Sequence, residues 1–231
     1  MYSSFSDAFQ LLETLDAKLL GIVFISLKVS LTALLIGSIV GIPLGSFIAA
    51  RQFPGRAVVV VILNSLMGVP TVIVGVVIYL LLSRTGPLGE LNWLFTTKGM
   101  VLAQTCLTIP LIAALTRQII EDTWQVHGET LTALRLRPLA KIKWLIWDAR
   151  FSLSITIMAG FARAISEVGA VMIVGGNIDQ STRTMTTAIA LETSKGDLPL
   201  ALALGLVLLA VVLFANLAIF LIKLLAERRY G

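Results

Sequence analysis

Arg163 and Glu167 stand four residues apart inside Phe151 to Ile178, a run that holds no other Asp, Glu, Lys or Arg. At helical spacing the two side chains share a face. Charge at membrane depth is expensive, so such residues either form a fixed ion pair or mark a pathway. Arg163 therefore either neutralises Glu167 or attracts an anion. In the same run Ser152, Ser154 and Thr156 alternate with apolar residues, and in an earlier run Asn64, Ser65 and Thr71 flank Pro70 among Val and Ile. These are groups that hydrogen-bond, and none of them is a nucleophile paired with a base. One cysteine, Cys106, and one histidine, His127, leave no internal disulfide, Cys-based metal cage or haem centre to be made. Redox chemistry is therefore not expected, and what these residues offer is hydrogen bonding and charge.

The elements that must position these residues follow from composition. Of 231 residues, 57% are hydrophobic and 13% are charged, with a mean hydropathy of +0.94. A soluble domain has roughly 25% charged residues, so the chain is built for a bilayer, which excludes a secreted or cytosolic enzyme. Crossing ~30 Å of hydrocarbon at ~1.5 Å per residue takes about 20 residues, which limits this length to a handful of helices and short loops. Val29 to Ala50, Ala57 to Leu82, Gly99 to Thr116 and Leu198 to Ile222 carry no charge. With the run that holds Arg163 and Glu167 they predict an all-α membrane protein of five spans, over about 19–50, 57–82, 99–117, 151–175 and 198–222, within a single domain over 18–231.

Five spans put the termini on opposite sides. Eleven of the 18 basic residues fall in Arg51 to Arg56, Arg117 to Arg150 and the C-terminal stretch after the last span. The positive-inside bias then places the N-terminus outside and the C-terminus in the cytoplasm. The net charge of +5 reports topology and is no argument for nucleic-acid binding. Met1 to Lys18 has no basic n-region and contains Asp7, Glu13 and Asp16, so it does not read as a cleaved signal peptide. Tyr2, Phe5, Phe9 and Leu12 fit a short amphipathic helix over 1–17 on the outer interface, or a frayed polar tail.

Gly41, Pro43 and Gly45 lie in the first span, Gly68, Pro70 and Gly75 in the second, and Pro110 in the third. Each proline frees a carbonyl that hydrocarbon cannot satisfy, so these positions predict either broken helices around a cavity or tight helix packing. The stretch 118–150 is too polar for lipid. Within it Glu129 to Leu136 reads as a short helix that Pro138 breaks, either a docking element or a solvated loop.

Glu129, Ala133 and Leu134, followed by a basic and apolar stretch, resemble the Glu-Ala-Ala coupling loop of ABC importer permeases. Thr130 and Leu131 stand for its two alanines and Arg135 for its glycine. Phe161 to Ala170, Gly175-Gly176-Asn177-Ile178 and Thr182 to Asp197 resemble the membrane subunit of tungstate-type importers, and Asp148-Ala149-Arg150 and Gly68 to Gly75 are similar to stretches of the same oxyanion group. Molybdate and sulfate permeases share the looser pattern.

The resemblance implies a type I ABC importer permease fold with a cytoplasmic coupling helix, in a bacterial or archaeal cell membrane. It implies a homodimeric translocation path, two separate ABC ATPase subunits that bind the ATP and Mg, and an extracytoplasmic oxyanion-binding protein. No cofactor is expected in this chain, which has no Gly-Lys dipeptide and so no P-loop. Glu129, Thr130, Ala133, Leu134 and Arg135 would couple to the ATPase. Asn64, Ser65, Thr71, Arg163, Glu167, Thr184, Thr186 and Thr187 would line the path. The hydroxyls of Thr182 to Thr187, with Arg183 and backbone N–H groups near Gly175-Gly176-Asn177, would meet an oxyanion. Alternatively, the glycines make a tight turn and the threonines cap a short re-entrant helix. A molybdate or sulfate permease, or a secondary carrier gated by Arg163 and Glu167, are the competing readings.

Overall fold

The computed structural model describes residues 17–230, so the amphipathic segment expected at the N-terminus lies outside the described residues apart from its last position. The described chain has nine α-helices and a single 3₁₀ turn, and no strand. In order these are α1 (Ala17–Ala50), α2 (Arg56–Met67), α3 (Thr71–Leu82), the 3₁₀ turn Gly89–Leu91, α4 (Thr97–Ala133), α5 (Pro138–Asp148), α6 (Arg150–Ile165), α7 (Gly169–Gly175), α8 (Met185–Lys195) and α9 (Leu198–Tyr230). Leu19–Ala50, Thr97–Ala133 and Leu198–Leu221 are long and apolar enough to cross a membrane. The number rises to five when each of two bent pairs, α2 with α3 and α5 with α6, counts as one span.

Of the two readings offered for the glycines and prolines, a break holds in the second run: Gly68 closes α2 by donating its N–H to Ser65 O, and Pro70 caps α3. Proline has no N–H and pushes Val69 away from helical backbone, which explains a break there. Pro43 and Pro110 sit inside continuous helices, so they break nothing. The run 151–175 is likewise divided, at Ser166-Glu167-Val168, into α6 and α7.

The expectation for 118–150 needs correction, because this stretch is almost wholly helical. Glu129 to Leu136 is no separate helix. α4 runs unbroken from Thr97 to Ala133, and Pro138 opens α5 at its first turn, where a missing N–H costs nothing. Ile120 and Leu131 bury a stripe of α4 against Ala49, Leu145, Ala149 and Leu153, which keeps this polar segment helical after the apolar run ends. α5 then meets α6 at a 75° bend.

The chain divides into two compact units. One comprises residues 34–69, 105–161 and 217–230. In it α1 and α4 approach closely through Gly37, Gly41 and Gly45, spaced four apart on one face. A Cβ on Gly41 would lie 2.9 Å from Ile112 Cγ2, and one on Gly45 would collide with the Ala113 carbonyl. Such small-residue stripes let helix backbones touch where lipid supplies no hydrophobic drive. Ile48, Leu63, Ala113 and Ala114 complete this packing and attach α2.

The other unit comprises 17–33, 70–104 and 162–216. α3 packs on α7 through Gly75, where a Cβ would come 2.8 Å from Ala170 Cα. Val29, Met100 and Val171 form one core cluster, and Leu19, Ala188 and Leu204 another.

Candidate functional site

Glu167 occupies the break between α6 and α7 and is 4% exposed. A carboxylate this deep needs partners. Its Oε2 lies 3.4 Å from Arg163 Nη1, and its Oε1 accepts the N–H of Ala170 at 3.1 Å. That second bond replaces the backbone acceptor lost where the helix stops. Ser166 Oγ bonds back to Ala162 O at 2.7 Å, a local competition that also favours the end of α6. Arg163 and Glu167 are thus an ion pair, with the arginine side chain 35% exposed and the glutamate covered.

The break is gripped by other elements of the same unit. Gln104 of α4 donates Nε2 to Ala164 O at 2.9 Å. Thr186 donates Oγ1 to Glu167 O at 2.7 Å. Thr71 and Val72 pack so closely on Gly169 that a Cβ there would lie 3.0 Å from Thr71 Oγ1. Of the residues expected along a path, Thr71, Arg163, Glu167 and Thr186 therefore converge on the stretch from Arg163 to Gly169. Asn64 and Ser65 belong to the other unit, exposed on α2, with Ser65 Oγ bonded to Val61 O at 2.8 Å.

The threonines are buried and their hydroxyls serve the fold. Thr184 is the N-cap of α8, and it exchanges capping-box bonds with Thr187. Thr184 Oγ1 also meets Thr186 Oγ1 at 3.1 Å. Thr182 donates to Gly175 O at 2.6 Å and accepts from Ile178 N at 2.9 Å. Arg183 pairs with Asp179 at 3.0 Å. Gly176, at φ 71°, ends α7 in the left-handed conformation that glycine tolerates, so the Gly-Gly step is a tight turn.

Sequence reasoning did not single out Gln104 or Ser26. Ser26 Oγ accepts the N–H of Met185 at 2.7 Å and donates to Ile22 O at 2.8 Å, which fixes the start of α8. Both were readable only as polar residues within apolar runs. Among the described residues no cluster of His, Cys, Asp and Glu could hold a metal ion.

The second candidate surface is the end of α4. Glu129, Thr130, Ala133, Leu134 and Arg135 are all exposed, while Leu131 between them is 2% exposed and anchors the turn in the core. A hollow of about 630 Å³ lined by Trp124, Gln125, Gly128, Glu129 and Thr132 adjoins them. α5 is held to α4 by His127, which stacks edge-on against Trp144 at 5.1 Å and lies 3.5 Å from Asp148, and by Lys141 over the Trp124 ring. Arg135 has φ 49°, the left-handed backbone glycine favours.

No family model matches the chain. It is 43% identical to the tungstate uptake system permease protein TupB of Peptoclostridium acidaminophilum, over 94% of this chain and 95% of that protein. It is 38% identical to a probable anion ABC transporter permease of Haloferax volcanii, over 86% and 88% of the two chains. TupB of Campylobacter jejuni matches at 39% over 71% and 69%. Permeases of Escherichia coli named for sulfate and molybdenum transport match at 25% and 27%.

Proposed function

Because this chain belongs to the permease subunits of ABC oxyanion importers, we propose that it is the membrane subunit of an ATP-driven uptake system for tungstate or a close oxyanion. The observation that carries the reading is the 43% identity to a tungstate permease along nearly the whole of both chains. Identity to the molybdenum and sulfate permeases is 27% and 25%, which favours tungstate over those ions.

In this reading two copies of the chain enclose the path, and five spans leave the N-terminus outside and the C-terminus in the cytoplasm. The exposed residues Glu129, Thr130, Ala133, Leu134 and Arg135 face one of two ATPase subunits, which bind ATP and Mg. An extracytoplasmic binding protein delivers the anion. Arg163 is the residue suited to attract it. Its charge is part neutralised by Glu167 and part exposed, which lowers the barrier to a dianion without creating a deep trap. Thr184, Thr186 and Thr187 serve as scaffold for this region, since their hydroxyls are occupied within the fold.

The test is uptake of labelled tungstate and molybdate by vesicles carrying this chain, its ATPase and its binding protein. Uptake that requires both ATP and the binding protein supports the reading. Its absence for both ions overturns it.

A further inference from the structure

Glu121 holds two arginines from different helices. Its Oε2 meets Arg117 Nη1, one turn back on α4, at 2.5 Å, and its Oε1 pairs with Nη2 of Arg56, the first residue of α2. The same Arg56 donates Nε to the carbonyl of Ile48, in the last turn of α1, at 2.9 Å. Carbonyls there have no acceptor role left inside the helix, so an outside donor is needed. The three side chains are 23%, 27% and 15% exposed for Arg56, Glu121 and Arg117, which shields the pairs from water and salt. One guanidinium thus uses two different nitrogens to join α1 to α4, which a lysine ammonium on a single nitrogen cannot reproduce.

Glu121 and Glu129 lie on the same continuous helix, about 12 Å apart along its axis at ~1.5 Å per residue. A rigid helix carries a displacement at one end to the other, and here the far contact is with the ends of two further helices. We propose that Arg56, Glu121 and Arg117 are positioning residues, a strut that converts movement of the exposed end of α4 into movement of α1 and α2. The inference rests on the reading of Glu129 to Arg135 as the face that meets the ATPase. It also explains why these charges are drawn into the packed part of the unit when surface sites were open to them.

The experiment uses the full transporter in proteoliposomes, with uptake and ATP hydrolysis measured on the assembled fraction. Glu121→Gln keeps the shape and removes the charge, and Arg56→Lys keeps the charge and removes the Nε bond. Both variants are expected to assemble and to hydrolyse ATP within about twofold of the parent, with uptake per ATP lowered tenfold or more. Unchanged uptake per ATP in either variant overturns the strut. So does failure of both to assemble, because the cluster is then a staple of the fold. Glu129→Arg separates the two readings: if it loses ATPase capture while Glu121→Gln transports normally, only the strut fails. If Glu129→Arg keeps capture, the docking reading fails.

Discussion

Thr186 donates its hydroxyl to the carbonyl of Glu167 at 2.7 Å, so the first turn of α8 is tied to the break between α6 and α7. The bond satisfies an acceptor that helix termination has freed and that lies away from water. It makes the buried carboxylate and the capped helix one mechanical piece.

Thr186→Val keeps the side-chain shape and removes that donor. A buried carbonyl left unsatisfied costs about 1–3 kcal/mol, so the detergent-solubilised variant should melt several degrees lower. Thr184→Ala, which removes the N-cap of α8, should cost about 0.5–2 kcal/mol. Melting curves that superimpose on the parent for both would refute the assignment of these hydroxyls.

Arg163 and Glu167 differ in exposure, and the difference predicts an asymmetry. Arg163→Gln leaves a covered carboxylate without its counter-charge, whereas Arg163→Gln with Glu167→Gln leaves no charge at all. Breaking a buried pair on one side is worse than removing both members. The single variant should therefore be the less stable of the two in thermal unfolding, with the gap reduced because the arginine is partly wet.

The close approach of α1 to α4 is tested by a pair of substitutions in one helix. Gly45→Ala drives a methyl into the Ala113 carbonyl, while a Cβ at Gly21 meets nothing within 4 Å. Overpacking costs about 1–3 kcal/mol, and Gly→Ala at an open helical position gains roughly 0.5–1 kcal/mol. Melting temperatures should move in opposite directions, and a common direction would contradict the packing.

Arg135 sits in the left-handed backbone that glycine favours. An L-residue with a side chain pays about 1–2 kcal/mol there. Arg135→Gly should raise the melting temperature of the isolated subunit slightly, or at least not lower it, whereas Arg135→Val should lower it. The reverse order would place the residue in another conformation.

Glu129→Arg tests the exposed end of α4 as a docking face. Glu129 is exposed, so the folded subunit should keep its melting temperature. Capture of the ATPase subunit in a pull-down should fall sharply, because an inserted positive charge must be desolvated at the contact. Normal capture would remove the docking assignment.

The sequence by itself determined the class and much of the local grammar. Charge scarcity and uninterrupted apolar runs specify membrane helices, because a continuous apolar run of about 20 residues satisfies its own backbone in hydrocarbon as a helix, whereas barrel strands are short and alternate. Pro70 next to Gly68 specifies a break, and Gly176 a turn, because both act through the backbone of their own neighbours. The four-residue step from Arg163 to Glu167 specifies a pair for the same local reason. Tertiary structure decided everything that needed a partner from elsewhere in the chain. Whether Pro43 breaks its helix, whether Gly41 and Gly45 line a cavity or a contact, and whether Glu129 begins a helix or finishes one all depend on what packs alongside: Ile112 and Ala113 in the first cases, Leu145 and Leu153 in the last. Gln104, Ser26 and Glu121 became informative only when folding brought distant carbonyls, amides and guanidiniums to them. Periodicity reports which face of a helix is apolar, and only the fold supplies the group that meets it.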